Sequence, residues 1–389
     1  MMTKVRLLIF LFTIFVMVTF GTFAVAYARG YRFDLRHFRF SPNGLLVVKS
    51  DPTGAQIFVN GDLKTASDAT VSLSPGTYDI SLRKEGYIEW GKRLSIEKEV
   101  VTLANVTLFR IAPSLTAVTF DGAVNPVDSA DYSKIAFAVP PKTAGDPKAG
   151  LWIVETADLP LGFSRDPRRI SDGDLTEASW EFSPDARQIM LTTKGGVYLL
   201  ETGSFTSQNQ TVNVSSRKES IVLGWKTEEK KKLTAQLSSL PEELADVLTR
   251  KASSVVFSPD ETKILYTASG SASLKEGLIK SLPGSSTQKQ ERNIEEGKTY
   301  VYDIKEDRNF LVAEAGAMIR WFPTSRQLVY PEEGKVTIMD YDGTNRQAVY
   351  SGSYTAPKAF PYVNTSKLLI LTNLGSGDSL ANLYSLSLK

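Results

Sequence analysis

The chain contains no cysteine and a single histidine, His37, among 389 residues. Without thiols there are no disulfides, no thiolate metal sites, no cysteine nucleophile and no lipidated N-terminal cysteine. A Ser-His-Asp relay needs an imidazole beside its nucleophile, and the one imidazole sits in a short basic stretch. Zinc sites built from several His or Cys ligands are excluded in the same way. Neither sign of charge dominates: 45 Lys and Arg face 43 Asp and Glu, for a formal net charge of +2. That balance carries no electrostatic footprint for nucleic acid. Acid–base chemistry is left to carboxylates, lysine or tyrosine, so no catalytic, cofactor or metal residue is assigned and the chain reads as non-enzymatic.

Long apolar runs are also scarce, with one exception. Residues 7–28 read LLIFLFTIFVMVTFGTFAVAYA, 22 residues without a charge. A bilayer core of ~30 Å needs about 20 apolar residues in a helix, so this segment is read as a single-pass transmembrane anchor. Residues 1–6 would form a cytoplasmic stub and 29–43 a tether. A cleaved signal peptide is the alternative, and Ala26-Tyr27-Ala28 would serve as its cleavage site, although the run exceeds the roughly 7–15 residues of an ordinary signal. Counting flanking Lys and Arg sets Lys4 and Arg6 against Arg29, Arg32, Arg36 and Arg39, which favours the body inside. The β-rich modules that follow argue for a body outside the cytoplasm, which is the expectation adopted.

Residues 44–112 carry closely spaced strand signals at 45–49, 55–60, 70–73, 77–83, 88–96 and 101–109. The alternation of Tyr78, Ile80 and Leu82 against Asp79, Ser81 and Arg83 marks a half-buried strand. Asn60-Gly61 is the pair favoured in type I′ hairpins, and Ser74-Pro75-Gly76 is a further turn. A small independent β-sandwich is predicted. Pro52-Thr53-Gly54-Ala55, Ile57-Phe58-Val59-Asn60-Gly61, Leu73-Ser74-Pro75-Gly76-Thr77-Tyr78 and Lys84-Glu85-Gly86-Tyr87 together resemble the PEGA domain, with Thr53 in place of the motif's Glu. The resemblance implies a surface or envelope setting and no catalytic chemistry. Tyr78 and Tyr87 read as core residues.

Residues 113–389 hold a degenerate repeat in which a turn and a basic or amide residue precede an apolar strand. Its copies start at Asp131, Ser183, Ser258, Pro323 and Asn364. The repeats lie 54, 75, 64 and 40 residues apart from Ile135 through Ile189, Ile264 and Leu328 to Leu368, against about 40–45 for a bare propeller blade. A β-propeller of about five to six blades follows, with a helical insertion at 227–251 and a flexible loop at 269–298. The helix is marked by Leu233, Leu237, Leu240, Leu244 and Leu248 at helical spacing, with a capping box at Ser239-x-x-Glu242 and a kink or restart at Pro241. The Phe-Ser-Pro-Asp turns at 182–185 and 257–260 resemble the propeller repeats of the periplasmic Tol system, with Ala186 and Glu261 where those repeats have Gly. The fold class expected is therefore all-β: anchor, PEGA-like sandwich, then propeller.

Two motifs fall short of chemistry. Gly297-Lys298-Thr299 ends like a phosphate loop, but Arg292 holds its first glycine position. Ser171-Asp172-Gly173-Asp174 lacks the further ligands of a calcium loop and reads as a turn. Trp152, Trp180, Trp225 and Trp321 are assigned to blade cores. The function expected is that of a membrane-anchored envelope protein whose propeller binds an envelope protein or a cell-wall polysaccharide. The competing expectation is a carboxylate-dependent, glycan-cleaving propeller. A signalling sensor is disfavoured by the short segment before the span.

Overall fold

The computed structural model describes residues 4–28, 31–34, 39–157, 165–280, 287–314, 316–363, 365–377 and 379–389; His37 lies outside them. Contacts divide the chain into two units, Met1–Leu108 with Leu282–Gln288, and Phe109–Ser281 with Lys289–Lys389.

In the first unit the apolar run forms one helix, Lys4–Ala28. Its Arg6–Val25 stretch has a mean hydropathy of 2.5 and none of it is buried by protein. The segment expected to be an open tether contains a two-stranded antiparallel hairpin, Tyr31–Asp34 against Arg39–Pro42, with Tyr31 opposite Pro42. Two sheets then form the sandwich. One orders Ala69–Leu73, Gly44–Asp51 and Val101–Thr107, the last two parallel. The other orders Asp62–Ala66, Gln56–Val59, Gly76–Arg83 and Trp90–Ile96. Alternation sends Leu46, Val48, Ile57, Ile80, Leu82 and Val106 into one core, with Tyr78 and Tyr87 packed against it. Asn60 and Gly61 both hold positive φ, +51° and +87°, and join Val59 to Asp62 in the hairpin the dipeptide predicts. The edge strand Asp62–Ala66 was not predicted. All five of its residues are exposed, so it shows no alternation.

The second unit is built around five antiparallel sheets of three or four strands among the described residues. The first comprises Val124–Asp128, Lys134–Val139, Gly150–Glu155 and Arg168–Asp172. The second has three strands: Ser179–Phe182, Gln188–Thr193 and Gly196–Glu201. The third has Ala252–Phe257, Lys263–Ala268, Thr299–Asp303 and Arg308–Ala313, and the fourth has Arg320–Trp321, Gln327–Glu332, Lys335–Asp340 and Gln347–Ser351. The fifth takes Ala359–Pro361, Lys367–Thr372 and Asn382–Ser387 from the end of the chain and its outer strand, Ser114–Ala117, from the start of the unit. That exchange closes a ring. Apolar clusters join sheets five and one, one and two, three and four, and four and five. This is a five-bladed propeller, with each blade burying its faces against its neighbours.

The described interface between blades two and three differs. There the helical insertion runs as Lys218–Leu237 and Glu242–Lys251, beginning before the Leu repeat that announced it. Ile221, Val222 and Trp225 pack on Met190 and Val197 of blade two, while Leu244 and Leu248 pack on Ile264, Tyr266 and Tyr300 of blade three. A single bridge from Tyr198 to Asn213 stands where blade two would have a fourth strand. The expected capping box does not form. Pro241 is the N-cap of the second helix without a side-chain cap, and the Ser239 hydroxyl instead donates to the Gln236 carbonyl at 2.7 Å.

The described parts of 269–298 are tied down as well. Ala272–Ser273 pairs with Asn293–Ile294, and Leu274 and Ile294 are buried in the blade-three cluster. The Glu291 N–H donates to the Asn309 carbonyl at 2.7 Å and the Asn309 amide returns a bond to the Glu291 carbonyl. Arg292, which blocked the phosphate-loop reading, is 13% exposed and pairs with Asp307, 5% exposed, at 3.2 Å. Asp307 also accepts from the Gly277 N–H at 2.8 Å and from the Tyr302 hydroxyl.

Candidate functional site

The repeat's turns carry most of the polar residues of the sequence signal. In blades one to three a serine hydroxyl donates to the aspartate two residues on: Ser129 to Asp131, Ser183 to Asp185 and Ser258 to Asp260. The same serine oxygens accept the N–H of Lys134, Gln188 and Lys263. Burial pushes the carboxyls of Asp131 and Asp260 up, but the Ser and Thr or backbone hydrogen bonds outweigh it and hold them below the ordinary range. These carboxylates are consumed by the turn.

The tryptophans are likewise structural. Trp180 and Trp321 are buried, with indole N–H groups donating to the carbonyls of Ala136 and Val256. Trp152 is half-buried against the cluster joining blades five and one, and Trp225 sits on the helical insertion against blade two.

At the inner edges of the blades, Arg320 of blade four pairs with Asp128 of blade one at 3.2 Å. It also donates to the carbonyls of Pro357 and Ala359 and lies 5.2 Å from the Phe360 ring centroid of blade five. Lys358 donates to the Pro126 carbonyl at 3.0 Å, and burial, aided by the Arg320 charge, holds its ammonium pKa below the ordinary value. This network laces three blades together.

Antiparallel blades place the links from one blade to the next at the same end as the loops joining each second and third strand. A 760 Å³ cleft opens there between blades one and two, lined by residues 141–147, Arg169, Asp172, Asp174, Gln208 and others. One wall is shaped by Asp146, which accepts the N–H groups of Lys142 and Lys148 at 3.0 and 2.9 Å. The ammonium groups of the same two lysines reach Asp121 at 2.5 and 2.8 Å. On the other wall the Arg169 guanidinium lies 5.1 Å from the Phe205 ring centroid and 3.8 Å from Asp172. Its buried Nε has no hydrogen-bond partner among the described residues. Asp172 accepts from the Ser207 hydroxyl at 2.6 Å and the Gln208 N–H at 2.7 Å.

Every carboxylate lining this cleft is held ionised. Hydrogen bonds from backbone N–H groups lower Asp146, and the Thr176 hydroxyl and N–H lower Asp174. For Asp172 burial works upward, but the Gln208 and Ser207 bonds prevail. Three of the four residues set aside in sequence as a calcium-like turn, Asp172, Gly173 and Asp174, therefore line this cleft, and both carboxylates are satisfied by protein donors. Gly297-Lys298-Thr299 is a turn entering a blade-three strand, with Lys298 paired to Glu295 at 2.9 Å. Among the described residues no three His, Cys, Asp or Glu gather as a metal cluster. Apart from the calcium-like turn the cleft carried no sequence signal, since its walls come from three separate segments.

Residues 43–111 match the family model of the PEGA domain. No curated protein matches the chain in sequence. Among solved structures, TolB from Acinetobacter baumannii is similar at 12% identity and a TM-score of 0.23, over 80% of this chain and 59% of that one. An acylaminoacyl peptidase from Pyrococcus horikoshii is similar at 13% identity and a TM-score of 0.21, over 69% of this chain and 38% of that one. The chain thus spans less than two thirds of the length of either structure. The propeller assignment rests on the strand order and ring closure described above.

Proposed function

We propose that this is an envelope protein anchored by its N-terminal helix, with its body outside the cytoplasm, that binds a ligand without transforming it. The ligand is a segment of another envelope protein or a cell-wall glycan, taken up in the cleft at the connection end of the propeller. The observation that carries this reading is the state of the cleft. Its charges of both signs are fixed in place by protein partners, and Arg169 lines it among them. Such a surface offers preset hydrogen bonds and charge, which is what recognition of a polar ligand needs. The PEGA match supports the envelope setting, and the helix is long and apolar enough to span a bilayer.

The glycan-cleaving alternative needs a carboxylic acid with a raised pKa to protonate a leaving group. Asp146, Asp172 and Asp174 are all shifted the other way, which favours binding over cleavage. The test is retention of the full chain, in detergent, on insoluble cell wall and on immobilised envelope proteins. Arg169→Ala should reduce retention at least tenfold with an unchanged thermal transition. Equal retention of both proteins, or release of reducing sugar from the wall, would overturn the reading.

A further inference from the structure

The sheet of the sandwich nearest the anchor in sequence keeps an apolar outer face. Leu45, Val101 and Leu103 are 37%, 59% and 53% exposed. Parallel register sets Leu45 beside Val101 and Val47 beside Leu103, so these aliphatic residues form one patch. Lys49 lies on the same face beyond them, with exposed Thr70 and Ser72 across from Val47 and Leu45. Scattered exposed leucines need no explanation, but a contiguous aliphatic face rimmed by polar groups marks an interaction surface.

Chain continuity says what lies opposite. The hairpin returns Pro42 to the side of Tyr31, so the chain leaves the helix at Ala28 and comes back almost to where it left. Leu45 therefore starts within about 25 Å of the helix end, where the same residues fully extended would reach about 55 Å. The helix Lys4–Ala28 is long enough, at about 37 Å, to carry its end into the headgroup layer. The sequence that follows the span carries Arg29, Arg32, Arg36 and Arg39 against one acidic residue, Asp34, so the stretch where the chain leaves the helix is rich in cations. Cations beside a span attract anionic lipid.

We infer that the Leu45–Val101–Leu103 face rests on the anionic lipid surface around the anchor, which seats the sandwich on the bilayer rather than leaving it on a free tether. The inference depends on the helix being a retained anchor, as proposed above. The cysteine-free sequence lets each site be probed by one introduced thiol. Full chain is reconstituted into phosphatidylcholine vesicles containing phosphatidylglycerol, with an NBD probe on Leu103→Cys, Leu63→Cys or Ile14→Cys, and quenched by doxyl-labelled lipids.

The Leu103 probe should lose at least half its emission to shallow doxyl groups. Leu63, 56% exposed on the edge strand of the other sheet, should lose little, and Ile14 should be quenched by deep doxyl groups. Adding Leu103→Glu should abolish shallow quenching of a Val101→Cys probe, at a site too exposed for the change to disturb folding. Ile14 quenched with Leu103 unquenched refutes lipid contact and leaves the anchor standing. A Leu103 probe shielded from aqueous iodide yet unquenched by lipid means a second protein copy covers the face, which also refutes it. Ile14 unquenched removes the anchor and this inference together.

Discussion

Arg292 offers the sharpest test of how the long 269–298 insertion is held. Its guanidinium donates to Asp307, to the Lys275 carbonyl at 2.9 Å and to Gln290 at 2.9 Å, so one side chain gathers both limbs of the insertion onto blade three. Replacing it with Met keeps the stem's packing and removes the charge. Asp307, 5% exposed, is then a buried carboxylate with only Tyr302 and the Gly277 N–H for partners. Leaving one member of a buried pair uncompensated costs about 3–5 kcal/mol, which for a domain of this size lowers Tm by roughly 10 °C. Removing both charges should cost much less, since no isolated ion remains. Asp307 sits at φ +51°, where Asn is well tolerated, so Arg292→Met with Asp307→Asn is the matched double variant. Urea unfolding followed by circular dichroism would read the cycle. The expected result is a loss of about 3 kcal/mol for Arg292→Met, with at least 1.5 kcal/mol recovered in the double variant. A single-variant loss below about 1 kcal/mol would refute the pinned insertion and restore the flexible loop read from its composition.

Three further outcomes follow from the geometry. The five blade turns place Tyr132, Ala186, Glu261, Ser325 and Thr365 at φ between +56° and +62°, so Glu261→Gly should be more stable than Glu261→Ala by about 1 kcal/mol in urea melts; the reverse order would mean the turn is not left-handed. Leu115→Asp, in the strand that closes the ring opposite Leu386 and packed on the cluster joining blades four and five, should cost about 1–3 kcal/mol, and an unaltered melt would mean the ring does not close there. Burial raises the phenol pKa of Tyr132 and Tyr354, each to about 12, so their contribution to stability is complete below pH 10, the unfolded value, and is lost as pH rises through 12. Phenolate absorbance at 295 nm should therefore show late-titrating tyrosines, and full titration by pH 10.5 with the fold intact would contradict the burial.

What the sequence made legible is what repeats or alternates. Period-two patterning in 77–83 located a strand whose Ile80 and Leu82 are buried, and the Ser-Pro-Asp turns located the hairpins of blades two and three because each serine and aspartate bonds within its own turn. Blade four kept the turn after losing the aspartate: Ser325 holds the same positive φ and its hydroxyl accepts the Asp260 N–H of blade three at 3.0 Å. The insertions resisted reading for a different reason. The polar composition of 269–298 suggested solvent, yet its described parts are held by a few scattered anchors, among them buried Leu274 and Ile294, a two-residue strand pair and the Arg292–Asp307 pair, and such sparse anchors leave no period. The Leu repeat found the helices but not their place, because Leu244 and Leu248 announce only that something apolar lies opposite. That it is blade three, with blade two covered by Ile221, Val222 and Trp225, depends on two helices jointly filling a gap that sheets fill elsewhere in the ring. The cleft is the extreme case. Asp146 lies on a loop, Arg169 on a strand and Gln208 on a short turn after the next blade, and none of them is unusual until the blades bring their ends together, so a cleft of this kind becomes visible only once the ring has closed.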